Sequence, residues 1–140
     1  MAKRKLKKYT IYNDLYDVHV IFLIGGEVID LQKYIKRKHG NVETYSWGKK
    51  FDLYCKDADT TNGYQFHVNA PLGKGEVFYH WHSHNTPYLL GHELYHMTGD
   101  IMYTRGMTYN SGSEESYAYL AGWLFDRLCK KMKIKFPKRL

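Results

Sequence analysis

The sequence has little that could crosslink, kink or anchor the chain. It has two cysteines and three prolines in 140 residues. Cys55 and Cys129 stand far apart with no C-x-x-C pair, which excludes a disulfide-stapled fold and predicts two small buried thiols in a reducing compartment. Long apolar runs are absent too. The longest, Val18 to Ile24, contains His19 and is far too short to span a bilayer. It also begins too late, and lacks the cleavage site, for a signal peptide. These absences predict a cytoplasmic protein with no membrane partner. There is no internal repeat and no low-complexity tract. Acidic residues are scarce as well: 14 Asp and Glu face 21 Lys and Arg, a net charge of +7.

The excess charge is gathered at the ends, in Lys3, Arg4, Lys5, Lys7 and Lys8 and again in Lys130, Lys131, Lys133, Lys135, Lys138 and Arg139. Basic clusters of this kind suit weak, non-specific contact with nucleic acid, although solvated tails are their commoner role. Between them, 44% hydrophobic and 16% aromatic content suffices for one core. The expectation is a single domain over residues 1–140, with basic tails at about 1–8 and 133–140. Fourteen tyrosines point to many core-edge or cleft positions, because Tyr buries an apolar body and keeps a polar tip.

Taken in order, Tyr16 to Ile24 is rich in Val, Ile and Phe and ends at Gly25-Gly26, which predicts a central strand buried on both faces. From Glu27 to Lys38, Val28, Leu31, Tyr34 and Ile35 recur at helical spacing, with Asp30 in the first turn and Gly40 after the last. Phe51 to Cys55 and Tyr64 to Val68 read as two strands of a hairpin turning at Asn62-Gly63. Gly75 to His84 alternates with period two and reads as an edge strand with His80, His82 and His84 on one surface face. Thr86-Pro87 announces a helix through Met97. Thr104 to Ser113 is a loop, and Ser113 can cap a final helix from Glu114 to about Lys131.

The chemistry is concentrated in His92-Glu93-Leu94-Tyr95-His96, which reads H-E-x-x-H. On a helix, residues i and i+4 share a face one turn apart, so His92 and His96 can offer two imidazoles to one zinc ion. Glu93 projects about 100° away from His92 and is placed as a general base for a zinc-activated water. A catalytic zinc takes three protein ligands and leaves a position for water, whose pKa falls to about 7. The third ligand can come from two places. Continuing as H-E-x-x-H-x-x-G-x-x-H, the chain has Gly99 in place but Met102 where a histidine would stand, and a thioether suits hydrolytic zinc poorly. The other source is the final helix, where Glu114 and Glu115 open an apolar segment. Ala118 and Gly122 share the Glu115 face and are small enough for close approach of the motif helix. Tyr103, Tyr109 and His84 are candidate oxyanion donors. The run His82-Ser83-His84 fails as the start of an H-x-H-x7-S-x2-D site, because His92 and Tyr95 fall where Ser and Asp would be needed.

These motifs give the chain a resemblance to small zinc peptidases of gluzincin type, mostly encoded by viruses and prophages. The segments that carry it are YDVHVIFLIGG, EVIDLQKYIKRKHG, GEVFYHWHSH, GHELYH and ESYAYLAGWL. The resemblance implies an α+β minimal zincin-like domain: a small mixed sheet with a backing helix, an H-E-x-x-H helix and a terminal glutamate-bearing helix. It implies that Glu115 completes a zinc site with His92 and His96, that Glu93 is catalytic, and that the substrate is a peptide or protein. If the chain is viral, its compartment is the host cytoplasm. In this reading the histidine-rich strand borders the cleft and binds extended substrate by strand addition. The alternative is a non-enzymatic structural or nucleic-acid-associated viral protein that keeps a metal for stability.

Overall fold

The structure, a computed structural model, describes residues 5–42, 45–57, 63–68, 76–83 and 87–135. The fold is α+β. Among the described residues the elements run β1 (Lys7–Asn13), β2 (Val18–Ile24), α1 (Val28–His39), α2 (Ser46–Asp57), β3 (Gly63–Val68), β4 (Glu76–His82), α3 (Pro87–Thr104) and α4 (Glu114–Met132). The chain divides into two compact units, Met1–Thr86 and Pro87–Leu140.

The first unit is a four-stranded mixed sheet in the order β1-β2-β4-β3. β1 and β2 form an antiparallel hairpin, β2 and β4 run parallel, and β3 returns antiparallel to β4. β2 is therefore an inner strand, and six of its seven residues are buried, as its unbroken run of Val, Ile, Phe and Leu predicts. It stops at Gly25 and Gly26, whose φ of 94° and 67° favour glycine. That turn is tied to β4: the Gly25 N–H donates to the His82 carbonyl, and the Trp81 indole N–H donates to the Gly25 carbonyl at 3.0 Å. α1 follows, with the Glu27 N–H donating to Asp30 Oδ2 at 2.8 Å, and it closes at Gly40 with φ 73°.

Two sequence expectations are corrected here. Phe51 to Cys55 is not a hairpin strand; it lies inside α2. The stretch looks β-like because Phe51, Leu53 and Cys55 alternate, but Trp47, Phe51, Tyr54 and Cys55 follow the i, i+4, i+7, i+8 spacing of a helix. The helix wins by burying Phe51 completely and leaving Leu53 62% exposed. The second correction concerns β4, which pairs with β2 on one side and β3 on the other and is an inner strand, not an edge. β1, before the first expected strand, takes in Lys7 and Lys8 from the basic N-terminal stretch.

α1 and α2 join one face of the sheet in a core containing Ile21, Leu23, Leu31, Ile35, Phe51, Tyr79 and Trp81. Each fully buried side chain of this size contributes roughly 1.5–3 kcal/mol relative to exposure. The opposite face carries Val20, Phe22, Phe78, His80 and His82, all buried. In the second unit α3 and α4 pack on one another. No helix among the described residues is long and apolar enough to cross a membrane.

Candidate functional site

α3 buries Leu90, Leu94, Met97, Thr98, Ile101 and Met102, an apolar stripe along one side. At about 100° per residue, His92 and His96 fall on the opposite side of the helix, and both are exposed. Their Nε2 atoms lie 3.1 Å apart and their rings meet edge to face at 4.8 Å between centroids. Two nitrogens on a tetrahedral zinc at about 2.0–2.1 Å would be separated by roughly 3.3–3.4 Å. The pair thus fits two positions of one metal ion with a few tenths of an ångström of adjustment. Glu93 lies a quarter-turn away and is half-buried. Gly99 continues the histidine face, and a Cβ built there meets nothing within 4 Å, so space stays open beside the pair. Asp100, one turn beyond His96, is a neighbour on the same helix surface that the H-E-x-x-H pattern does not include.

α3 ends in a Schellman turn. The Met107 N–H donates to the Met102 carbonyl, the Gly106 N–H to that of Tyr103, and Gly106 has φ 71°. The following loop is held by its own side chains: Asn110 Oδ1 accepts from the N–H groups of Gly112 and Ser113, and the Tyr117 hydroxyl donates to the Met107 carbonyl at 3.0 Å. This fixes where α4 begins. Ser113 does occupy the N-cap position, but its hydroxyl makes no cap bond. It turns back instead and donates to the Thr108 carbonyl.

Glu114 and Glu115 open α4, and both are exposed. The buried stripe of α4 is Leu120, Leu124, Leu128 and Cys129. Counted at about 100° per residue, Glu115 lies on the far side of α4 from Leu124. Ala118 and Gly122 share its face but are exposed, and a Cβ at Gly122 meets nothing within 4 Å. Among the described residues, nothing packs closely on this face at Gly122. The structure brings His92 and His96 together and does not gather Glu115 or Glu114 with them; among the described residues no group of three His, Cys, Asp or Glu side chains is disposed to hold a metal.

The other expected groups are placed as follows. Tyr103 and Tyr109 are 77% and 58% exposed, and the Tyr109 ring meets Tyr117 edge-on. His84 and the Thr86 cap lie outside the described residues. His80 and His82 are buried, each 1% exposed, and are not surface histidines; Nε2 of the first lies 2.9 Å from Nδ1 of the second. Because both edges of β4 are paired, that strand cannot bind substrate by strand addition. The cysteines are free, and burial pushes the Cys55 thiol up to about 11, so it is a protonated packing residue and not a nucleophile.

No family model, curated protein or solved structure matches the chain.

Proposed function

We propose that the chain is a zinc-dependent hydrolase acting on peptide bonds, with His92 and His96 as metal ligands and Glu93 as general base. The observation that carries this reading is the 3.1 Å separation of the two Nε2 atoms on an open helix face. A bound zinc supplies a Lewis acid and a water acidic enough to lose its proton near neutrality. Glu93, next to His92 in the chain but turned away from its face, is left to take that proton and return it to the leaving amine. The zincin-like resemblance assigns the third ligand to Glu115. Glu115 and Glu114 are both exposed at the start of α4, so either is accessible from solvent.

Metal analysis of protein purified without chelator tests this assignment. The expected result is one zinc per chain, lost in His92→Ala and Glu115→Ala and retained in Glu114→Ala. Turnover of an unstructured protein substrate should vanish with chelator and return on adding zinc. A chain that takes up no zinc would remove the proposal; zinc lost in Glu114→Ala and kept in Glu115→Ala would move the third ligand by one residue.

A further inference from the structure

The first unit carries a second feature that the hydrolase reading does not use. α1 ends in Lys36, Arg37, Lys38 and His39. Cations in a last turn complement the helix dipole, which accounts for these residues but not for Lys8, which arrives from β1. Lys8 pairs with Leu23 and so shares the sheet face that α1 covers. Lys8, Tyr34, Arg37 and Lys38 line a cavity of about 350 Å³. Three of these four side chains are cationic and none is a carboxylate.

Like charges gather around this cavity. Burial first, and then the Lys8 charge, hold the Lys38 ammonium below its ordinary value. The Tyr34 ring gives Lys38 partial relief, with Nζ 5.9 Å from its centroid. The Tyr34 hydroxyl is buried without a hydrogen-bond partner. A guanidinium fork beside two ammonium groups is a donor set suited to phosphate oxygens. Lys33, one turn before Arg37 and exposed, carries the positive surface on past the cavity, as a ligand with phosphates in series requires.

We propose that Lys8, Arg37 and Lys38, around the Tyr34 ring, form a phosphate-binding pocket that takes a backbone phosphate of single-stranded nucleic acid. The pocket lies within the first unit, and the histidine pair belongs to the second.

The test uses the full chain and a fluorescein-labelled single strand of about twelve nucleotides, followed by anisotropy over a series of salt concentrations. Lys8→Gln, Arg37→Gln and Lys38→Gln should each weaken binding and flatten the plot of log affinity against log salt, none by more than about 0.7, the contribution of the one phosphate the pocket holds on a single strand. The triple variant should lose binding. Arg37→Lys keeps the charge and should keep the slope while weakening affinity. Lys49→Gln with Lys56→Gln, two exposed lysines on α2 that do not line the cavity, is the control and should change little. All these positions are exposed, and circular dichroism checks that the variants fold. Inorganic phosphate is the second probe: if it binds the wild type and not the triple variant while the oligonucleotide does not bind, the pocket takes phosphate from a small ligand, and the phosphate chemistry stands while the nucleic-acid source falls. Oligonucleotide binding that is unchanged in the triple variant, or weakened no more than in the control, overturns the proposal, as does a wild type that binds neither probe.

Discussion

His39 shows at the scale of one residue how the fold sets a charge state. Its Nε2 lies 2.7 Å from the hydroxyl of Tyr79, which is fully buried. Burial raises the Tyr79 phenol far above its usual value, so it stays neutral. Burial and then the Lys38 charge lower His39 below the ordinary histidine value. A neutral imidazole can accept the phenol proton at Nε2, whereas protonation would remove that acceptor. Because the folded pKa lies below the unfolded value of about 6.5, the unfolded chain binds the proton first. The stabilising contribution is complete above about pH 6.5 and is lost as pH falls from there toward the folded pKa. Thermal melts from neutral to mildly acidic pH should therefore show falling stability, and His39→Gln should flatten that fall; an equally steep loss in the variant would assign it to other groups. At this same scale the sequence was legible where chemistry depends on one helical repeat. The i, i+4 spacing of His92 and His96 suffices to place two rings together. It was not legible for Glu115, because the face a side chain presents across two helices depends on how they pack, and helix phase within α4 left Glu114 and Glu115 unresolved.

At the scale of elements, the segments read correctly have length and punctuation in agreement. β2 ends at a Gly-Gly turn, α1 is closed by Gly40, and the loop between α3 and α4 is rich in Gly, Asn and Ser. α2 was misread because five residues of alternating apolarity fit a strand as well as a helix, and the deciding residue, Trp47, stands before that window. β1 was missed because its cations outweigh the alternation of Tyr9, Ile11 and Asn13, which share one face of the sheet opposite Phe22, Val20 and Val18. Two helical glycines, one in α2 and one in α4, give a paired prediction. A Cβ at Gly48 in α2 would overlap the backbone carbonyl of Val42, which is itself buried. Gly122 in α4 faces open space. Alanine is favoured over glycine by about 1 kcal/mol in a helix interior, and overpacking costs roughly 1–3 kcal/mol. Gly122→Ala should therefore stabilise the protein in denaturant melts, and Gly48→Ala should destabilise it. Equal stabilisation by both would mean that α2 does not approach Val42 as described.

For the whole molecule, the division into two units separates the two chemical proposals: the histidine pair belongs to Pro87–Leu140 and the cationic cavity to Met1–Thr86. A metal that binds only the folded chain must raise its stability by mass action, whether or not catalysis follows. At a free zinc concentration about 100 times Kd, the gain is about 2.7 kcal/mol. This linkage distinguishes an enzyme from a metal-stabilised scaffold through one residue. Glu93 is not a proposed ligand, so Glu93→Gln should show the same zinc-induced rise in melting temperature as the wild type, whereas His92→Ala should show none. A hydrolase further requires turnover to fall in Glu93→Gln by roughly the 10²–10⁴ that general-base catalysis contributes. A scaffold would show the zinc shift in both proteins and turnover in neither. Glu93→Gln losing the zinc shift would make Glu93 part of the metal site, and turnover undiminished in that variant would defeat the mechanism even with the zinc in place.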